Sequence, residues 1–120
     1  MPRRLALTAL ALLVLAVLAV GAQADPVARA ARDCNPPAYP GDGYFTSLTV
    51  RHTTCAAGRR LAVAYYYCRI QNGGRDGRCN HKVLRYTCTE VRNRIPTEID
   101  ARVRCRRGER RIIHTYQQNL

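Results

Sequence analysis

Six cysteines, Cys34, Cys55, Cys68, Cys79, Cys88 and Cys105, constrain this chain more than its apolar content does. Whether they oxidise depends on the compartment. The chain opens MPRRLALTALALLVLAVLAVGAQA, with Arg3 and Arg4 ahead of an uncharged run from Leu5 to Val20 and then Ala22-Gln23-Ala24. That is the pattern of a secretory signal, residues 1–24, cleaved after Ala24. The apolar run falls short of the roughly 20 residues that cross a bilayer comfortably. No second apolar run follows, so the expected mature product is secreted (extracellular) and has no transmembrane segment. In that setting an even number of cysteines implies three disulfides and no free thiol.

Beyond Ala24 the chain is long enough for one small domain, which buries only about 60 to 65% of its unfolded surface. Cross-links are the usual remedy for so thin a hydrophobic margin. Residues 25–43, with four prolines and no periodic apolar pattern, read as an extended leader pinned by Cys34. Residues 44–120 read as the domain proper.

YFTSLTVR, residues 44–51, has Leu48 and Val50 on one alternating face and predicts a strand. Thr53 and Thr54 offer an N-cap, and Cys55, Gly58, Leu61, Ala62, Tyr65 and Cys68 recur at spacings of three and four, the stripe of a helix reaching about Arg69. Of Tyr65-Tyr66-Tyr67, one ring should face the core and the others cover its rim. QNGGRDGRCN, residues 71–80, is a loop bracketed by Cys68 and Cys79, which are expected to pair. Residues 82–91 and 98–105 alternate with period two, a turn lies around Asn93 to Thr97, and Arg110 to Tyr116 return after a turn at Arg107-Gly108. The expected fold is α+β: one helix packed on a three- to four-stranded, mostly antiparallel sheet, in the order strand-helix-strand-strand-strand and stabilised by disulfides. Cys88 and Cys105 fall on the inner face, within reach of Cys34 and Cys55, and either pairing of those four is open.

The chain carries 20 basic residues against 8 acidic ones, a formal net charge of +12, and Lys82 is the single lysine. The stretch ARVRCRRGERR is too charged for a core. If Val91 faces Glu98 and Arg106 faces Glu109, then Arg85, Arg104 and Arg111 form a row across the exposed sheet face, flanked by Arg102 and Arg106. Like charges directly opposite one another destabilise a sheet, so such a row implies an anionic partner, with Thr87, Thr89 and Thr115 as neutral hydrogen-bonding neighbours. The competing reading is that Asp100, Glu90 and Glu109 neutralise the row and the arginines only solubilise the sheet.

Chemistry-bearing residues are sparse. His52, Cys55, Cys79 and His81 lack the closely spaced cysteine pairs of zinc frameworks, so no metal or other cofactor is expected. His114, with Glu98 or Glu90 and Arg111, is the one set that could serve acid–base cleavage of a phosphodiester. RGERRII, Arg107 to Ile113, resembles the arginine-bearing strand of small secreted bacterial ribonucleases, which implies a phosphate contact for Arg111. The chain departs from that pattern, because those enzymes place their catalytic histidine well beyond this strand.

Tyr44-Phe45, Thr54-Cys55-Ala56-Ala57, Tyr86-Thr87-Cys88, Val103-Arg104-Cys105 and Arg107-Gly108 together resemble a group of small secreted cysteine-containing proteins of GC-rich Gram-positive-type bacteria, across residues 44–113. The resemblance implies export and the fold and supplies no activity. The functional expectation is a secreted, non-enzymatic domain that binds an anionic polymer or cell-surface component through Arg85, Arg102, Arg104, Arg106 and Arg111. The alternatives are a ribonuclease-like hydrolase, or a protease-inhibitor-like module using loop 71–80.

Overall fold

A computed structural model describes residues 30–120; the expected signal segment 1–24 lies outside the described residues. The elements are β1 (Arg32–Asp33), β2 (Gly43–Arg51), α1 (Cys55–Gln71), a 3-10 turn (Gly74–Asp76), β3 (Thr87–Ile95), β4 (Glu98–Arg107) and β5 (Arg110–Asn119). All strand pairs are antiparallel, in the order β1-β2-β5-β4-β3. The α+β class and the element order match the sequence reading. The sheet has five strands because Arg32–Asp33, inside the supposed leader, adds an edge to β2.

The helix starts where a hydroxyl cap is available: Thr54 is extended and its side chain accepts from the Ala57 N–H at 3.1 Å. Its buried stripe is Gly58, Leu61, Ala62, Tyr65, Cys68 and Arg69. Tyr65 is buried, Tyr66 half-buried and Tyr67 exposed. The stripe lies against the inner sheet face, where Leu48, Val50, Ile99, Ala101, Val103, Cys105, Ile112 and Tyr116 close the core. Gly58 sets the closeness of this contact, since a Cβ there would stand 2.7 Å from Val50 Cγ1 and 3.3 Å from Leu48 Cδ1.

All six cysteines are bonded, as Cys34–Cys55, Cys68–Cys79 and Cys88–Cys105. The expected Cys68–Cys79 pair is present, and the open pairing of the other four is resolved by neighbourhood. Cys34 leads off β1 beside the helix start, while Cys88 and Cys105 are direct cross-strand partners.

The inner face also buries polar groups. Arg69 is fully enclosed: Nη2 donates to Tyr39 Oη at 2.8 Å, Nη1 donates to the Arg75 carbonyl at 3.2 Å, and the guanidinium lies 4.1 Å from the Tyr116 ring centroid. Glu90 accepts from the Tyr116 and Tyr65 hydroxyls and pairs with Arg92, and both of these charged side chains are almost completely buried. Arg92 in turn donates to the carbonyls of Asp76 and Gly77, which ties loop 71–80 to the sheet. Burial pushes the Tyr39 hydroxyl up to about 12, and it raises Tyr65 and Tyr116 further, helped by Glu90.

His114 sits at the centre of this face, ringed by Phe45, Tyr65 and Tyr116 at centroid distances of 5.8, 5.4 and 6.4 Å, and neither ring nitrogen has a hydrogen-bond partner. Its β4 neighbour is Val103, where the assumed register had put Ala101. Burial first, and then the positive charge of Arg69, pull its pKa down to about 3.

Two predictions follow from this packing. Gly58→Ala gains helix propensity, yet it should destabilise the domain by about 1 to 3 kcal/mol in denaturant unfolding because the added methyl meets Val50. A gain in stability would mean that the helix stands further from β2. For His114 the folded pKa lies below the unfolded one, so between about pH 6.5 and 3 the unfolded state binds more protons and stability falls as the pH falls through that window. His114→Leu should flatten that acid limb and, by removing two unpaired buried nitrogens, equal or exceed the parent at pH 7 by about 1 to 2 kcal/mol. Parallel pH profiles for the two proteins would rule His114 out as the proton acceptor.

Candidate anion-binding face

The alternation that sends Ile99, Ala101, Val103 and Cys105 inward sends Asp100, Arg102, Arg104 and Arg106 outward along β4, and all four are exposed. The row through Arg106 runs Thr87, Arg106, Arg111, Arg51 across β3, β4, β5 and β2. Three arginines are therefore direct cross-strand neighbours. The next row is Thr89, Arg104, Ile113, Thr49, and the one after is Val91, Arg102, Thr115, Ser47. Arg107 also faces Arg110 where the hairpin turns, at Gly108 with φ 56°.

The face is concave. Thr49, Thr87, Thr89 and Ile113 line, with Arg51, Arg102, Arg104, Arg106 and Arg111, a depression of about 580 Å³, and the Thr49 hydroxyl donates to Asp33 Oδ1 at 3.1 Å. Among the described residues Arg102, Arg104 and Arg106 form no ion pair. Arg111 donates to the carbonyls of Gly108 and Arg110, which steadies the turn without neutralising the charge. Thr115 is held by Thr46 and Ser47 at the β2 bulge. Tyr44, paired with Gln117, lies at the opposite end of the sheet from the Arg106 row.

The row has a different membership from the expected one. Arg85 is outside β3, in a tight turn where Leu84 and Arg85 have φ 47° and 68° and Val83 bridges Tyr86. Arg104 faces Thr89 and Ile113 instead of Arg85 and Arg111. The hairpins close on two residues each, Pro96-Thr97 and Gly108-Glu109, and this shifts both registers by an even number of positions. An even shift keeps every side chain on its face, so the arginines stay outside while their partners change. Arg51 was missed because its place depends on β2 lying beside β5, a contact between distant parts of the chain.

Of the acidic residues expected to neutralise the face, Glu90 is on the other side of the sheet, bound to Arg92. Asp76, also remote, is held by Arg94 and Arg92; the Arg94 hydrogen bond is the main cause that lowers its pKa. Asp100 shares the outer face, and Glu109 lies beside Arg51 and Arg111 at its end.

The acid–base set does not assemble. His114 is buried on the inner face, Arg111 projects from the outer one, and Glu98, at the far end of β4, is hydrogen-bonded to Gln117. Cys68, Cys79 and His81 bring three donor atoms within 4.8 Å of one another, but both sulfurs are spent in a disulfide, which leaves one imidazole. Loop 71–80 is fastened by that disulfide and by Arg92. Among the described residues no helix is long and apolar enough to cross a membrane. The chain matches no protein-family model, no curated protein and no solved structure.

Proposed function

We propose that the outer sheet face binds an extended anionic polymer and that the protein does so as a secreted domain. The observation that carries the reading is the cross-strand Arg106–Arg111 pair with Arg102 and Arg104 beside it, none of which forms an ion pair among the described residues. Direct cross-strand juxtaposition of like charges costs stability, and a ligand whose negative groups sit between the guanidinium forks would reverse that cost. The concavity and its threonine hydroxyls favour repeated phosphate, sulfate or carboxylate groups. The three disulfides are consistent with an extracellular setting, and the resemblance of residues 44–113 to small exported cysteine-containing proteins fits the same picture.

The test is retention of the oxidised protein on immobilised heparin across a salt series. Arg102/Arg104/Arg106→Gln should elute at clearly lower salt than the parent, with the slope of log affinity against log salt reduced by about 2 to 3. A charge-matched control, Arg60/Arg75/Arg85→Gln, removes exposed arginines placed elsewhere and should change much less. Equal elution of the two variants would reduce the face to a solvated surface.

Stability gives an independent check. Arg106→Thr removes the charge facing Arg111, so it should stabilise the domain by about 0.5 to 1 kcal/mol at low salt while weakening retention. The gain should shrink as salt screens the repulsion. A loss of stability would show that Arg106 is engaged within its own fold.

A further inference from the structure

The hydroxyls of the outer face are not equivalent. Thr49 is engaged with Asp33, and Thr115 is shared between Thr46 and Ser47. Thr87 and Thr89 are exposed and line the depression, and among the described residues neither of their hydroxyls has a hydrogen-bond partner. Register sets each beside a β4 arginine: Thr87 faces Arg106 and Thr89 faces Arg104. The same pairing of hydroxyl and guanidinium therefore occurs twice, one two-residue step apart. Arg102 continues the line, with Val91 opposite it.

The acids bound this line. Asp33 lies opposite Thr49 on the β1 edge, Glu109 lies beside Arg51 and Arg111, and Asp100 stands one outward step beyond Arg102 on β4. Between those limits the strip from Arg106 to Arg102, with Thr87 and Thr89 at its side, carries no carboxylate. A two-residue step of an antiparallel strand covers about 6.8 Å and six backbone bonds. A phosphodiester chain with three carbons between its phosphates also repeats every six bonds, so when extended its charges fall at nearly the same interval. The charged groups of an acidic polysaccharide hang from rings and keep no such step.

We infer that the ligand is a base-free polyol phosphate, an extended phosphodiester chain with three-carbon linkers that lies along β4 from Arg106 towards Arg102. Two successive phosphates each take a guanidinium and a threonine hydroxyl. This rests on the outer face being a polyanion site. The hydroxyls carry the choice of ligand. Arginines are long and adapt to many anions, whereas a β-branched threonine is short and stiff at χ1 and keeps the interval of its strand. No aromatic ring lines the depression, so the bases of a nucleic-acid strand would gain no stacking there.

Three oligomers of equal phosphate number test this by fluorescence anisotropy of the oxidised protein at fixed salt. They are propanediol phosphate, triethylene glycol phosphate, whose charges stand about twice as far apart, and oligothymidylate. Thr87/Thr89→Val keeps every charge and the β-branching, and it should bind propanediol phosphate about tenfold more weakly than the parent. Its affinity for triethylene glycol phosphate and its elution from heparin should not change, and Thr87/Thr89→Ser should retain the parent's affinity. Propanediol phosphate should bind the parent at least as tightly as oligothymidylate. An undiminished affinity in the valine variant, or an equal loss for both spacings, overturns the inference while leaving the arginine dependence of heparin retention in place. A clear preference for oligothymidylate overturns it too and assigns the face to nucleic acid. Heparin retention that does not depend on the arginines removes the polyanion site itself.

Discussion

The hydroxyl of Tyr116, given to Glu90 while its ring lies beneath Arg69, joins the parts of this domain that the apolar core leaves separate. Tyr116 belongs to β5, Glu90 to β3 and Arg69 to the helix; Tyr39 reaches in from the segment before β2, and Arg92 extends the chain of contacts to loop 71–80. Buried charges are costly unless each is paired and hydrogen-bonded. Here one carboxylate serves two tyrosines and two arginines, Arg92 and Arg78, while Arg69 is held by an aromatic face, a hydroxyl and a carbonyl, with no ion pair and with its Nε unpartnered among the described residues. Removing any member strands the others without water, so the network makes the arrangement of helix, loop and sheet specific.

That network also governs the opposite face. Glu90 and Asp76 are committed to Arg92 and Arg94 on the inner side, Glu98 to Gln117 and Asp42 to Asn119. Asp33, Asp100 and Glu109 are the acids on or at the end of the outer face, and among the described residues Arg102, Arg104, Arg106 and Arg111 form no ion pair with them. The unbalanced outer charge follows from how the inner charge is resolved as well as from the abundance of arginine. The two faces thus resolve charge differently: the inner one in buried pairs, the outer one with Arg102, Arg104, Arg106 and Arg111 in no ion pair among the described residues.

Much of this was legible along the chain, because the signals that held are local. The Thr54 cap, the helical stripe from Gly58 to Cys68 and the alternation of Ile99, Ala101, Val103 and Cys105 each depend on a few neighbouring residues, and Cys68–Cys79 closes a short loop. Register was harder. Pro96-Thr97 forms the whole first turn, where a longer one had been assumed, and Arg85 consequently leaves the sheet. The faces survived that error because it was even, so the arginine surface could be foreseen while its row could not. Arg69 gave no signal: an arginine in the last turn of a helix ordinarily points to solvent, and its burial depends on Tyr39, before β2, and on Tyr116 and Gln118 of β5, two segments far from it in sequence.

The disulfides share that local character, and this limits what they can specify. Cys34–Cys55, Cys68–Cys79 and Cys88–Cys105 span 21, 11 and 17 residues, each joining parts of the chain that are near in sequence. By constraining the unfolded chain each contributes roughly 3 kcal/mol, enough to matter in a domain with a thin core. None of them crosses from β2 to β5, the pairing that brings Arg51 beside Arg111 and closes the sheet. That long-range contact rests on Leu48, Val50, Ile112 and Tyr116 in the core and on Tyr39 donating to Gln118. The cross-links stabilise the pieces, and the buried polar centre with its apolar surround determines how the pieces meet. The full arginine row is therefore in part a product of the core's specificity: the β4–β5 hairpin alone sets Arg106 opposite Arg111, and the β2–β5 register adds Arg51 beside them.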